Sequence, residues 1–472
     1  MSFLLDTLRR HAVERPQATA LEDANGRAMC WADLRDAVVR EQRALRGHCH
    51  GTAWPVALQA DHGIGHCVAD LALMETGIPV LSLPLFFTAS QREHALRECG
   101  ARGVLREFTG GLAWRMPGAA GAAPPLPTGT ARISYTSGST ATPRGICLSA
   151  VHLLEVARSV LATVGPAHVG RHLTILPPGL LLENVAGCYT TLLAGGTYIA
   201  AAQAAVGLTE PFRPDFQIMA AAIARLRANS IILVPEYLAG LGGWLEGSGQ
   251  RLPELTLVAV GGARVTPQLL ARAHAVGLPV RQGYGLTECG SVVCLHDGDA
   301  GSLGSVGTPL GAHRLQLAPD GEILIDGALC LGSVGAPRAP GFLHTGDIGR
   351  VDEAGHLWIE GRKSNLIVTT FGRNVSPEWI ESLLLEQPGI AQAMVHGDGA
   401  ARLSALLVPR GSAAGLAAAV AAVNDGLPEY ARIHSWRQSE PFTLANGRLT
   451  GNGRLRRARI RQHIQESADA FL

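Results

Sequence analysis

The sequence predicts an α/β protein: a large N-terminal domain of two helix-covered sheets plus a small β-barrel, and a small mobile α+β C-terminal domain. Three patterns carry that expectation. Up to about residue 360, short β-rich apolar runs alternate with alanine- and leucine-rich helical stretches, as in parallel sheets covered by helices. Beyond Leu303 the texture changes to short strands with turns, GEILIDG and then the alternating GRVDEAGHLWIEG, which suits a small barrel or antiparallel sheet. Residues 361–377, bearing glycine, serine and asparagine, then link to a last unit that reads as α+β on a flexible joint.

Taken in order, a helix over 31–46 precedes a strand over 53–58, and a helix over 66–74 precedes a strand over 79–83. Residues 108–130 are rich in Gly, Pro and Ala and read as a surface connection between two such units. A helix over 220–228 leads into a strand at 231–234, and a strand over 255–260 into a helix at Pro267–Ala275. The last unit carries a helix at 377–386, strands at 391–396 and 404–408, and a second helix at 413–424.

Composition narrows the class. The 472 residues are 47% apolar and 17% charged, a balance that excludes disordered and fibrous proteins. A net charge of +1 offers no electrostatic footprint for nucleic acid or an acidic membrane face. Nine cysteines lie scattered without a CxxC pair and read as reduced, mostly buried thiols. The N-terminus has no signal-peptide pattern, so the cytoplasm is expected. The longest uncharged run, 185–209, is broken by Gly195 and Gly196 and reads as a buried strand and helix rather than a membrane span.

The chemistry begins at YTSGSTATPRG (135–145). Thr136, Ser137, Ser139 and Thr140 surround Gly138 at the end of an apolar strand. Such a loop offers several O–H and backbone N–H donors to one polyanion with no bulky side chain in the way. Pro143 fixes the turn, and Arg144 adds a cation suited to bidentate phosphate contact. No GxxxxGK[ST] or GxGxxG pattern occurs, which weighs against Walker and dinucleotide sites.

With this loop the chain resembles the adenylate-forming superfamily of acyl-CoA synthetases, peptide-synthetase adenylation domains and luciferases, whose loop reads YTSGSTGxPKG. Ala141 replaces its second glycine and Arg144 its lysine. The pattern is closest to the acyl-CoA synthetases and runs almost end to end. In VAVGGARV, the resemblance implies that Gly261, Gly262 and Ala263 pass the adenine and the base of an acyl pocket. In RQGYGLTECGS, Tyr284 and Gly285 would face the purine and Thr287 the α-phosphate, with Glu288 a hard oxygen ligand for Mg2+. In HTGDIGRVDEAGHLWIEGRKSNLIV, Asp347 would accept the ribose hydroxyls, and Arg362 would hold ribose or phosphate. LPPGLLLENVAGCY places Leu180 where the long-chain synthetases carry a histidine, implying an aliphatic pocket lining.

The same resemblance implies a hinge over 362–366, with Ser364 as pivot, between a large ATP- and acid-binding domain (1–361) and a mobile domain (367–472). Gly372 would approach the thiol channel. Arg454, in NGRLTGNGRLRR, occupies the position of the family's catalytic lysine. Among 40 basic residues the only lysine is Lys363, so an arginine here fits the whole chain. An arginine keeps the charge yet is a larger planar fork.

The implied activity is ATP-dependent activation of a carboxylic acid, fatty or otherwise apolar, with pyrophosphate release and transfer to a thiol. Coenzyme A or a phosphopantetheinyl carrier protein would be the acceptor, and a non-catalytic adenylate-binding homologue stands as the other class. No side-chain nucleophile is needed, and Cys289 reads as buried rather than catalytic.

Overall fold

A computed structural model describes residues 3–49, 54–108, 111–115, 124–136, 144–209, 214–370, 373–450 and 454–469. These form two compact units: Met1–Ala263 with Ala271–Leu315 and Ile325–Leu343, and Arg264–Leu270 with Gln316–Leu324 and His344–Leu472.

The first unit is built on two large sheets with parallel strands in the middle and antiparallel strands at both edges. In the eight-stranded sheet, β1 (Val56–Gln59), β2 (Val80–Ser82) and β3 (Arg132–Thr136) run parallel, and β4 (Arg144–Leu148) returns antiparallel to β3. The nine-stranded sheet holds β5 (Arg171–Leu173), β6 (Ser230–Leu233), β7 (Leu257–Val260) and β8 (Val280–Tyr284), all parallel. Strands buried on both faces read as unbroken apolar runs, and every residue of β6 is buried.

The predicted α/β alternation is present, with shifted boundaries. The expected helix over 66–74 is Ile64–Thr76, which we label α1. It is apolar on nearly every side and is closed by Gly77 in the left-handed conformation (φ 74°). The uncharged run forms a π-helical stretch, Glu183–Tyr189, then a short α-helix and the strand Thr197–Ile199. No described helix is long and apolar enough to cross a membrane.

The surface connection expected over 108–130 is corrected in part. Residues Gly111–Arg115 form an edge strand antiparallel to Gly103–Phe108. Trp114 lies so close over Gly103 that a β-carbon there would sit 2.4 Å from its ring, while His48 stacks on the indole at 4.8 Å. Apolar cover from one tryptophan thus turns a Gly-rich stretch into a strand.

A buried polar network crosses this unit. Arg132 on β3 is 1% exposed, and its guanidinium donates to Asp70 of α1, to Ser82 at the end of β2 and, at 2.6 Å, to Tyr189 Oη. Tyr189 in turn donates to the second Asp70 oxygen at 2.6 Å. Burial alone would push the Asp70 carboxyl up. The Arg132 charge, His66 and these hydrogen bonds hold it below the usual carboxylate value.

After Leu303 the expected small barrel or antiparallel sheet is present as a four-stranded sheet in the order His313–Leu317, Glu322–Gly327, Leu343–Val351, Leu357–Arg362. Its last two strands are β9 (Leu343–Val351) and β10 (Leu357–Arg362), paired antiparallel with Asp347 opposite Arg362. The C-terminal α+β part has the helix α2 (Pro377–Leu385) and a three-stranded sheet, β11 (Ile390–His396), β12 (Leu403–Pro409) and β13 (Ile433–Gln438). A closing helix, α3 (Arg457–Asp469), was not legible in sequence. Its run RARIRQHIQESAD is almost wholly polar, and it docks through Ile460 and Ile464 against Met394, Leu406 and Phe442.

Arg132→Leu leaves the Asp70 carboxylate buried without its partner and is expected to cost about 3–5 kcal/mol in a urea titration. A wild-type midpoint would refute the network's weight. Because the native Asp70 value lies below the unfolded one, its contribution is present above about pH 4 and is lost as the pH falls through the lowered native value. The Arg132→Leu protein should accordingly show a flatter loss of stability between neutral and acidic pH.

Candidate functional site

The site expected from the motifs gathers first at the C-terminal ends of β7 and β8. In parallel α/β sheets this edge is where strands release their chain into ligand-binding loops. β7 ends in Gly261, buried, and Gly262, whose φ of 88° suits only glycine. A β-carbon on Gly261 would stand 3.2 Å from the Gly283 carbonyl of β8 and 4.0 Å from Leu182. Bare backbone is therefore presented between two strands, with Leu182 as its apolar neighbour. Ala263 follows and is exposed.

β8 delivers Tyr284, half-buried, into the turn Gly285–Leu286 and a single 3-10 turn, Thr287–Cys289. Gly285 is required sterically: any β-carbon there would lie 1.7 Å from the Ser291 carbonyl oxygen. Ser291 itself holds a positive φ of 118°, so the loop doubles back tightly. The Cys330 amide donates to the Glu288 carbonyl at 2.6 Å, and the Gly290 amide to the Thr287 carbonyl at 3.1 Å. Backbone bonds thus hold the turn, leaving the Thr287 and Glu288 side chains half-exposed. Burial pushes the Cys289 thiol well above its usual range, so it is protonated and inert, as expected.

The segment expected to hold a phosphate is described only at its two flanks. β3 ends at Thr136, in register with Arg144 at the start of β4. Ser137, Gly138, Ser139 and Thr140 lie outside the described residues. Arg144 donates to Ser333 Oγ at 2.9 Å, and the Val334 amide binds the Gly145 carbonyl at 2.9 Å. A β-carbon on Gly145 would meet Val334 at 2.9 Å and Tyr135 at 3.0 Å, so a small residue is needed where β4 leaves the loop.

Leu180 opens the turn into the π-helical stretch, its carbonyl accepting the amides of Glu183 (3.1 Å) and Asn184 (3.3 Å). Leu182, not singled out in sequence, is the residue the coordinates bring to Gly261. The π-helical stretch is anchored by a buried pair, His172 Nε2 with Glu183 Oε1 at 3.0 Å. Gly187 makes room for it, since a β-carbon there would lie 2.5 Å from that oxygen. π-turns recur at functional sites, and only the fold exposes this one.

In the second unit, Asp347 is 6% exposed and receives Arg362 Nε at 2.6 Å, while its amide bonds Thr345 Oγ1 at 3.0 Å. The two residues predicted to hold a ribose therefore face each other across β9 and β10. Ser364 lies exposed in the short 3-10 turn Lys363–Asn365. Lys363 is bound to Asp320 at 2.5 Å and Glu322 at 3.2 Å, and Glu322 also accepts the Gly346 amide at 3.0 Å. Sequence reasoning noted Lys363 as the lone lysine and missed this role. Gly372 lies outside the described residues. Arg454 is exposed at the foot of a tight hairpin: the Thr450 amide donates to its carbonyl at 2.8 Å, and its amide to Thr450 Oγ1 at 3.0 Å.

No group of three or more His, Cys, Asp or Glu side chains among the described residues could hold a metal ion. The single half-exposed carboxylate of Glu288 fits Mg2+, which is commonly bound by one or two carboxylates with phosphates and waters completing its shell.

A family model described as AMP-binding enzyme matches residues 8–335. The long-chain-fatty-acid–CoA ligase FadD15 of Mycobacterium bovis is 36% identical over 154 residues, 31% of this chain and 26% of that protein. A feruloyl-CoA synthase of Amycolatopsis sp is 27% identical over 424 residues, 82% of this chain and 84% of the relative. The chain spans between about a quarter and just over half of the length of the first curated relatives it matches, 26% and 57%. Among solved structures, o-succinylbenzoate CoA synthetase from Bacillus subtilis, in complex with its acyl-adenylate intermediate, shares the fold. Its TM-score is 0.80 at 22% identity, covering 96% of this chain and 97% of that one.

Gly285→Ala must push its new methyl through the Ser291 carbonyl, and the overpacking is expected to cost about 1–3 kcal/mol. A thermal midpoint equal to the wild type would show that the turn is looser than drawn.

Proposed function

Because the chain belongs to the AMP-binding enzyme family, we propose that it activates a carboxylic acid with Mg·ATP to an acyl-adenylate and passes the acyl group to coenzyme A. The observation that carries this reading is the YGLTE turn. Its backbone is held by Gly285 and Cys330, so Thr287 and Glu288 project half-exposed at the carboxyl end of a parallel strand. The acceptor is read as coenzyme A because the relatives reported above are named as CoA ligases or synthases.

A carboxylate oxygen of the acid attacks the α-phosphorus, and the bond to the bridging oxygen breaks, so that pyrophosphate leaves with the electron pair. Thr287 donates to the α-phosphate, and Asp347 accepts from the ribose hydroxyls with Arg362 beside it. Glu288 would hold Mg2+, which supplies charge neutralisation to the phosphates when bound. Arg454 offsets the negative charge gathering at the α-phosphate. The protein's share is positioning and electrostatics. The thiolate of coenzyme A then attacks the acyl carbon, forming the thioester and releasing AMP. Between these steps residues 367–472 turn about Ser364, withdrawing Arg454 and bringing up Gly372.

Leu180, Leu182 and the bare backbone of Gly261 and Gly283 support an apolar acyl group. Nine cysteines, all free thiols, suit a reducing compartment such as the cytoplasm.

Pyrophosphate release across a panel of fatty and aromatic acids, with and without coenzyme A, tests this reading. One acid should give both pyrophosphate and thioester. Pyrophosphate release followed by transfer only to a pantetheinylated carrier would change the acceptor, and no release with any acid would leave a non-catalytic adenylate binder. Arg454→Ala should lower acid-dependent release by at least about 10²-fold, the scale set by removing one oriented charge donor. Full activity in that variant sinks the role given to Arg454.

A further inference from the structure

The hairpin that ends in Arg454 is short. A bridge joins Leu449 to Leu455, the two Thr450–Arg454 bonds close it, and the Arg456 amide reaches the Arg448 carbonyl at 2.8 Å. These bonds tie the arms 448–450 and 454–456 together. They do not fix its direction relative to the rest of the C-terminal α+β part, and a displacement of about 1 Å at a catalytic group can cost 10²-fold in rate.

Leu449 and Leu455 pack into the apolar cluster of Met394, Leu406 and Phe442, and a polar anchor follows three residues past Arg454. Arg457, the first residue of α3, turns its guanidinium back onto α2. Its Nη1 donates to Glu381 Oε1 at 2.7 Å and its Nη2 to Glu381 Oε2, a two-pronged fork, and Nη2 also lies 3.3 Å from Glu378 Oε1. Arg457 keeps 13% of its side chain exposed and Glu381 only 7%. Glu381 Oε1 also receives the Val395 amide of β11 at 2.7 Å. Glu378 takes Asn365 Nδ2 on Oε1 at 2.6 Å and the Ser376 hydroxyl on Oε2 at 3.2 Å. One pair of carboxylates therefore joins four places: the residue just after Ser364, the start of α2, a strand of the small sheet, and the residue three past Arg454.

We propose that Arg457, gripped by Glu381 and Glu378, is a positioning residue for adenylation: it makes the Arg454 hairpin and the exit of the hinge one rigid piece, so that rotation at Ser364 delivers Arg454 in one orientation. This rests on the reading of Arg454 and Ser364 given above. Arg457 touches neither substrate nor reacting atoms. A planar fork is required, because a lysine ammonium keeps the charge but cannot span both Glu381 oxygens in parallel.

The two half-reactions separate this role from plain stabilisation. In the full-length protein, Arg457→Lys should lower kcat for acid-dependent pyrophosphate release by about 10²-fold. KM for ATP should stay unchanged, because Asp347 and Arg362 are untouched. Thioester formation from supplied acyl-adenylate and coenzyme A, which no longer needs Arg454, should stay within twofold. Arg457→Gln combined with Glu381→Gln, which removes both charges of the buried fork and serves if the lysine variant folds poorly, should show the same split. Equal loss in both half-reactions, or loss in neither, overturns the proposal. Arg454→Ala serves as the control: if it alone loses adenylation, only the clamp is refuted. If Arg454→Ala adenylates normally, or the wild type releases no pyrophosphate, the reading of Arg454 fails and the clamp with it.

Discussion

The arginine buried in the first unit sets the terms for much of what surrounds it. Arg132 is a full charge at 1% exposure, and such a charge is tolerated only when it is paired and hydrogen-bonded. Asp70, Ser82 and Tyr189 take up its two Nη groups, and they come from three separate elements. Satisfying one guanidinium thus fixes α1, β2 and the π-helical stretch relative to β3. β3 is the strand that runs into Thr136 at the start of YTSGSTATPRG, and the π-helical stretch follows directly on Leu182, the leucine beside Gly261. The network thus places the start of that segment and the turn before the π-helical stretch on one frame.

A second theme is how the chain handles positive charge with almost no lysine. Arginine offers a fork that can be held by geometry, and the structure uses it so at several points. Arg132 binds three partners, Arg362 sits in register with Asp347, Arg144 binds Ser333, and Arg457 spans a carboxylate with both nitrogens. Lys363 stands apart, a compact charge shared between Asp320 and Glu322 beside the turn that holds Ser364. The arginine at position 454, where the resemblance implies a lysine, belongs to the same consistent usage. On the function proposed above, orientation would then matter more, because a guanidinium is a planar fork rather than a point charge.

Candidate motif residues stood out in the sequence where local chemistry singles them out. Glycine pairs at strand ends, a hydroxyl-rich run and a carboxylate between glycine-bearing turns each mark a candidate within a dozen residues. The alternation of apolar runs and helical stretches likewise announces parallel sheets. What stayed hidden depends on residues far apart in the chain. The strand Gly111–Arg115 exists because Trp114 covers Gly103 and His48 covers Trp114. The helix Arg457–Asp469 exists because two isoleucines in a polar run find a waiting apolar patch. Leu182 comes beside Gly261 because the chain folds residue 182 against the end of β7, which no local spacing announces.

The sequence by itself determined the class of fold, the family resemblance and the chemical inventory: which residues can cradle a polyanion, accept a ribose or carry a compensating charge. Those properties reside in residue type and short spacing. Only the tertiary structure decided which charges are buried and who holds them. Asp70 with Arg132, His172 with Glu183 and Arg457 with Glu381 are 62, 11 and 76 residues apart. The cost of desolvating an ion depends on its three-dimensional surroundings, and those surroundings come into being only when distant segments close over it.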